Sequence, residues 1–278
     1  MNHAALTSLI CGIAAAATCM GLGSAQAASL VPHRAFYTLE AARLDDSAGI
    51  AQINGKLAYE IRGSDCEGYS VNYRVANRYV QGEGQAQVSD VQLTSFESGD
   101  GLELDLQQKQ FTNAKLDAES RIKVKRTKAG EAASGEISGT EPKSFTIDAG
   151  AVFPTDFQKK LVEAAERGET RFNTLIYEGS EGEKSLRVIS FIGAKKPVSA
   201  LADSTPDKAL AGLSAATFWP VTISYYPVDD AGADEPTYQA TFNMLDNGIS
   251  TDLVMDYGRY ALKGTLNKLE ILKQDSCN

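Results

Sequence analysis

The sequence predicts a mainly β protein, an antiparallel meander of about a dozen strands forming one large curved sheet, with one or two short helices. Three observations carry this. Apolar and polar residues alternate with a period of two over most of the chain, glycine-containing breaks punctuate the alternation, and helix signals are few. The composition agrees: of 278 residues, 43% are apolar and 23% charged, with 24 Gly and only 8 Pro, the make-up of a folded globular chain. The net charge of −9 repels phosphate backbones and anionic bilayers, so no nucleic-acid partner is expected.

The first element is a leader. No Asp, Glu, Lys or Arg occurs from Met1 to Ser29, and Leu6 to Leu22 is an apolar run ending at the small-residue triplet Ala25, Gln26, Ala27. An h-region followed by an A-x-A site predicts a signal peptide over 1–27, cleaved after Ala27, although only the amino terminus and His3 supply its positive region. Ser8 and Ala16 stand three residues before Cys11 and Cys19, which argues against lipidation. Residues 28–278 are then expected to form a single exported domain that keeps just two cysteines, Cys66 and Cys277. An even pair in an oxidising compartment predicts one disulfide, with two free thiols as the alternative.

Strands come next. Tyr69, Val71, Tyr73 and Val75 alternate with Ser70, Asn72, Arg74 and Ala76, and Leu102, Leu104 and Leu106 alternate with Glu103, Asp105 and Gln107. The same pattern marks Leu57–Ile61, Arg121–Val124, Leu175–Tyr177, Leu186–Ile192, Val221–Tyr225, Tyr238–Met244, Leu253–Tyr257 and Leu266–Leu272. Asp246-Asn247-Gly248 reads as a tight hairpin turn, and further turns are expected at 63–68, 99–101, 130–139 and 179–182. One helix of about three turns is predicted where Thr155 and Gln158 form a capping box and Phe157, Leu161 and Ala164 or Ala165 share a face, ending at Gly168. Thr205 and Pro206, followed by Leu210 and Leu213, suggest a shorter helix. Residues 197–206 and 228–236 read as loops.

Catalytic signals are sparse. Beyond the leader His33 is the one histidine, and no nucleophile elbow accompanies it. Transition-metal ligands are lacking, and the acidic loop with Asp229, Asp230, Asp234 and Glu235 lacks calcium-loop spacing, so neither metal nor cofactor is expected. Gly82, Gly84 and the 99–101 turn do not form a nucleotide-binding loop. Glu103 and Asp105 share one strand face and resemble a glycosidase pair only in spacing, since surface acids at that interval are ordinary. Arg121, Lys123 and Lys125 make a basic stripe, joined by Arg126 and Lys128, that reads first as a solvated strand face. Aromatics concentrate late in the chain at Phe218, Trp219, Tyr225, Tyr226, Tyr257 and Tyr260; most are expected in the core, although a curved sheet so lined can hold an acyl chain or a peptide.

The segments Pro32-His33-Arg34-Ala35, Asp65-Cys66-Glu67-Gly68-Tyr69 and Phe218-Trp219-Pro220-Val221, with Cys66 and Cys277 in their order, resemble the envelope integrity protein B family of Gram-negative bacteria, long labelled a domain of unknown function. The resemblance spans the whole exported chain. It implies a monomeric periplasmic protein whose sheet winds into a spiral or open barrel, with Cys66 bonded to Cys277. It also implies a role in envelope integrity under stress, linked to a tetratricopeptide-repeat envelope protein. It brings no catalytic residues. The expected function is a non-enzymatic stress-resistance factor that binds an envelope protein or lipid; a lipid or lipoprotein carrier and an envelope hydrolase are the alternatives.

Overall fold

A computed structural model describes residues 29–82, 84–139, 142–180, 182–201, 213, 216–229, 235–274 and 277. The expected leader with its cleavage after Ala27, and most of the expected helix beginning at Thr205, lie outside the described residues. The N-terminal half supplies β1 (His33–Leu44), β2 (Ile50–Ser64), β3 (Gly68–Gln81), β4 (Ala86–Glu97), β5 (Glu103–Thr112), β6 (Lys115–Lys125), β7 (Ala133–Gly139) and β8 (Lys143–Ile147). The remainder supplies β9 (Ala151–Val152), helix α1 (Pro154–Glu166), β10 (Arg171–Ile176), β11 (Leu186–Ile192), β12 (Lys196–Pro197), β13 (Thr217–Pro227), β14 (Tyr238–Leu245), β15 (Ser250–Asp256) and β16 (Tyr260–Ile271).

All sixteen strands belong to one sheet, ordered β8-β7-β6-β5-β4-β3-β2-β1-β16-β15-β14-β13-β11-β10-β9, with β12 paired to β13 off this path. Pairing is antiparallel throughout except for the short parallel contact of β9 with β10. The two edge strands, β8 and β9, are consecutive in the chain, so residues 148–150 tie the edges together and the sheet nearly closes into a barrel. The seam is packed. Ile147 of β8, Ala151 of β9, Phe153 and Tyr177 share one buried cluster with Leu104, Leu106, Ile122 and Val124. Period-two alternation places one face of each strand inward, as with Ala35, Tyr37 and Leu39 of β1 or Val221 and Ile223 of β13.

Helix α1 lies against the concave side of the second half, where Phe157, Leu161, Val162, Ala164 and Ala165 pack on Val188, Trp219, Val221 and Met244. Its span and buried face follow the predicted spacing, but its cap does not. Phe153 is the N-cap and makes no side-chain cap bond; Pro154 opens the helix. Thr155 therefore sits inside the first turn, and its N–H donates to both carboxylate oxygens of Glu97 at 3.0 Å. Gln158 turns away and donates to the Gly248 carbonyl at 2.6 Å. The expected capping box is thus replaced by a carboxylate delivered from β4, which satisfies the same orphan helix donors. Gly168, at φ 76°, ends the helix as expected. The Asp246–Gly248 turn is confirmed in place, but only Gly248 has positive φ (86°), and the loop closes through a bond from the Leu245 N–H to the Ile249 carbonyl at 2.8 Å.

Candidate functional site

Register fixes which loops share an end of the barrel. Ile176 pairs with Leu186, Leu186 with Pro227, Tyr225 with Tyr238, and Gln239 with Asp256. The segment after β10, the β13–β14 connection and the β15–β16 turn are therefore neighbours. Inside that end lies a half-open cavity of about 560 Å³. Its floor and walls include Tyr59, Tyr73, Leu93 and Leu106 of β2 to β5; Tyr225 and Tyr238 of β13 and β14, with Tyr257 just after β15; Glu178 and Ser180 after β10; and Thr155 and Gln158 of α1. The size and the mixture of apolar wall with a few polar groups are those of a small-molecule site.

The tyrosines form a ladder. Ring centroids are 5.4 Å apart for Tyr225 and Tyr238, 5.0 Å for Tyr238 and Tyr257, and 4.9 Å for Tyr257 and Tyr260. Burial pushes the phenols of Tyr225, Tyr238 and Tyr257 well above the ordinary tyrosine range, raises that of Tyr260, and lifts that of neighbouring Tyr73 to about 12; the Glu178 carboxylate adds to the shift at Tyr73, Tyr225 and Tyr238. All stay neutral hydrogen-bonding groups near pH 7. Glu178 accepts a hydrogen bond from the Ser180 hydroxyl at 2.6 Å, and it is the one charged side chain among the described lining residues.

A second cavity of about 360 Å³ sits at the other end, beside the start of α1. Glu97, only 3% exposed, lines this cavity and holds Thr155, which borders both. Burial raises its carboxyl to about 7, against the lowering effect of the hydrogen bonds from the Thr155 hydroxyl and the backbone of Thr155 and Asp156. Arg126 leaves the expected basic stripe and folds in: its Nη1 donates to the Ala151 carbonyl at 2.9 Å and its guanidinium covers the Phe153 ring at 4.2 Å. Burial depresses the Arg126 pKa.

The other residues marked by the sequence are dispersed. His33 is buried, donates from Nδ1 to the Val31 carbonyl at 2.7 Å, and tilts against Tyr59; burial lowers its pKa. Glu103 pairs with Lys125 at 2.8 Å and Asp105 with Arg121 at 2.9 Å, so the acidic and basic stripes neutralise one another on the outer face. Asp229 of the acidic loop pairs with Lys184 at 2.6 Å, while Asp230 and Asp234 lie outside the described residues. Phe218 and Trp219 are core, and Tyr226 stacks under Arg187 at 4.6 Å. Tyr225 and Tyr257 alone of the expected late aromatics line the cavity; Tyr59, Tyr73 and Tyr238 join them, each at an inward position of a period-two run. Among the described residues no cluster of three or more His, Cys, Asp or Glu could hold a metal. Cys66 and Cys277 are joined by a disulfide, with Cα atoms 5.6 Å apart.

Comparison with known proteins follows the same outline. Residues 24–273 match the EipB-like family. The cell envelope integrity protein EipB of Brucella abortus is 34% identical over 256 residues, covering 90% of this chain and 88% of that protein. A crystal structure of a β-barrel-like protein of a domain-of-unknown-function family from Brucella abortus superposes with a TM-score of 0.80 at 30% identity, covering 88% of this chain and 99% of the other.

Proposed function

Because the chain belongs to the EipB-like family, we propose that it is a periplasmic, non-enzymatic envelope-integrity factor that works by holding a lipid-like amphiphile inside its barrel. The single observation that carries this reading is the half-open, tyrosine-walled cavity of about 560 Å³, large enough for a substantial part of an acyl chain. The name of the Brucella abortus relative supports the envelope role. A binding role is further supported by how the reactive candidates are engaged: His33 is packed in the core, and Glu103 and Asp105 are held in ion pairs on the outer face. In this reading the disulfide clasps the scaffold, the cavity binds, and a tetratricopeptide-repeat envelope protein is the partner that acts with it.

The test is extraction and mass spectrometry of the protein purified from the envelope fraction, paired with a deletion strain. The expected result is a stoichiometric amphiphile released on denaturation, and sensitivity of the deletion strain to detergents and cell-wall antibiotics. Saturable turnover of a glycan or ester, abolished by one acid-to-amide change, would instead establish the hydrolase alternative.

A further inference from the structure

The three fully buried tyrosines among the described residues, Tyr37, Tyr69 and Tyr177, all have their hydroxyls engaged within the chain. Tyr37 donates to the Ser250 carbonyl at 2.7 Å, Tyr177 to the Gly182 carbonyl at 2.7 Å and Tyr69 to the Asp65 carboxylate at 3.2 Å. The cavity tyrosines differ. Tyr59, Tyr73, Tyr225 and Tyr238 line the large cavity, and none of their hydroxyls has a hydrogen-bond partner among the described residues. The side-chain polar atoms that are both enclosed and unpaired belong to Asn77, Arg126 and Ser190, so these four hydroxyls open into the cavity. Burial is the main cause of the raised Tyr238 pKa, and Tyr257, Tyr225 and Tyr73 add to it, which places phenols from four stretches of chain within electrostatic reach of one another. Ser95 and Gln108 add neutral polar groups, while Val71, Leu93, Leu106 and Leu186 provide a hydrocarbon wall.

A buried tyrosine hydroxyl ordinarily finds a partner, and an occupant of this cavity decides whether these do. A hydrocarbon chain laid among the phenols would strip their hydration and return nothing. A quaternary ammonium head neither donates nor accepts, so it leaves them equally bare. A sulfate or carboxylate head only accepts, and no Lys, Arg or His stands among the described lining residues to meet its charge. A phenol both donates and accepts, and its full complement is a group that does the same. Sugar hydroxyls meet that requirement, and the flatter apolar face of a sugar ring suits the Tyr225–Tyr238 walls, whose centroids are 5.4 Å apart. We propose that the cavity takes an amphiphile with a neutral, sugar-like head group, its hydroxyls paired with the phenols of Tyr73, Tyr225 and Tyr238 and its hydrocarbon chain lying along the apolar wall.

This inference rests on the amphiphile-binding reading above, and the experiment separates the two. The purified protein is titrated calorimetrically with three amphiphiles that share one chain, each below its micelle concentration: octyl glucoside, octyl sulfate and octyltrimethylammonium. The glucoside is expected to bind about ten-fold tighter than either charged compound. Tyr73→Phe and Tyr238→Phe keep the rings and delete the hydroxyls. Each should weaken glucoside binding about three- to ten-fold and leave the two charged amphiphiles unchanged. Tyr79→Phe removes a hydroxyl that donates to the Gln87 side chain at 3.0 Å, away from the cavity lining, and should alter none of the three. Near-UV circular dichroism checks that every variant is folded. If the three amphiphiles bind alike, if a charged one binds tightest, or if the Tyr73 and Tyr238 variants keep full glucoside affinity, the head-group assignment is wrong while the amphiphile reading stands. A loss shared equally by all three amphiphiles overturns the assignment too, because the rings would then be packing the chain. If none of the three binds, both readings fall.

Discussion

Glu97 sets two physical effects against each other. Desolvation disfavours its charge, while the Thr155 and Asp156 groups at the start of α1 favour it, and burial wins, raising the carboxyl from 4.5 to about 7. Below about pH 4.5 the residue is protonated in both folded and unfolded chains. As the pH climbs to about 7 the unfolded chain gives up its proton first, so this stabilising contribution is lost as pH rises through the folded pKa, by about 3 kcal/mol in all. His33 has the opposite slope: burial lowers its pKa from 6.5, so its contribution is present above 6.5 and is lost as the pH falls. The raw stability profile mixes the two, and the variant Glu97→Gln separates them. The difference in urea-unfolding free energy between Glu97→Gln and wild type should grow in the variant's favour by about 3 kcal/mol from pH 4.5 to 7.5. A difference that stays flat across that range would contradict the raised pKa. Thr155→Val, which deletes one donor to the carboxylate, should cost about 1–3 kcal/mol above pH 7 and markedly less at pH 4.5, where protonated Glu97 needs that donor least.

At the level of elements, α1 is the piece that turns a curved sheet into a lined barrel. Leu161 is 1% exposed and central to the cluster joining the helix to β11, β13 and β14. Leu161→Ala should cost about 2–5 kcal/mol in chemical denaturation, and should lower affinity for any cavity ligand because Thr155 and Gln158 on the same helix line the site. The helix is legible in the sequence because its apolar residues recur at helical spacing on one face. Its cap is not, because the acceptor comes from Glu97, 58 residues upstream. Strand legibility divides the same way. β11 occupies Leu186–Ile192, the range its alternation marks, with Leu186, Val188 and Ile192 on the core face. β4 has no such signal: it carries Ser95 and Glu97 on its inward side, where they meet the cavity and the helix cap, and puts Phe96 outside at 40% exposed. β1 is obscured differently, with apolar Phe36 facing out between inward Ala35 and Tyr37. The cavity follows from the same cause. Tyr225 and Tyr257 stand out in sequence, but their meeting with Tyr59 and Tyr73 depends on strand order across the whole sheet, which no local pattern encodes.

On the scale of the molecule, closure happens at two places by different means. The β8–β9 seam is closed by the chain itself and by the apolar cluster around Ile147, Phe153 and Tyr177. The opposite meeting, where the first and last strands join, is an antiparallel β1–β16 pairing with two register shifts, in which His33 faces Ile271. Just beyond that pairing the disulfide links the β2–β3 turn to the C-terminal tail, crossing the end of β1, which lies between β2 and β16. Two strand spacings are about 10 Å, so the bond straps the tail over the end of one intervening strand, helped by the Leu272 N–H donating to the Pro32 carbonyl at 2.8 Å. Its stabilisation should come mainly from the unfolded chain, where it closes a loop with a sequence separation of 211, and should amount to about 2–4 kcal/mol. Cys277→Ser should lower the unfolding free energy by that amount in oxidising buffer, and dithiothreitol should bring wild type down to the same value. Because the strap is local and the seam is not part of it, amide exchange should rise first at the start of β1 and the end of β16, while β5, β6 and β8 keep their protection. Equal unfolding energies with and without the bond would show that the tail is held without sulfur. Exchange spreading at once to Ile122 and Ile147 would show that the strap holds the whole barrel and not just its termini.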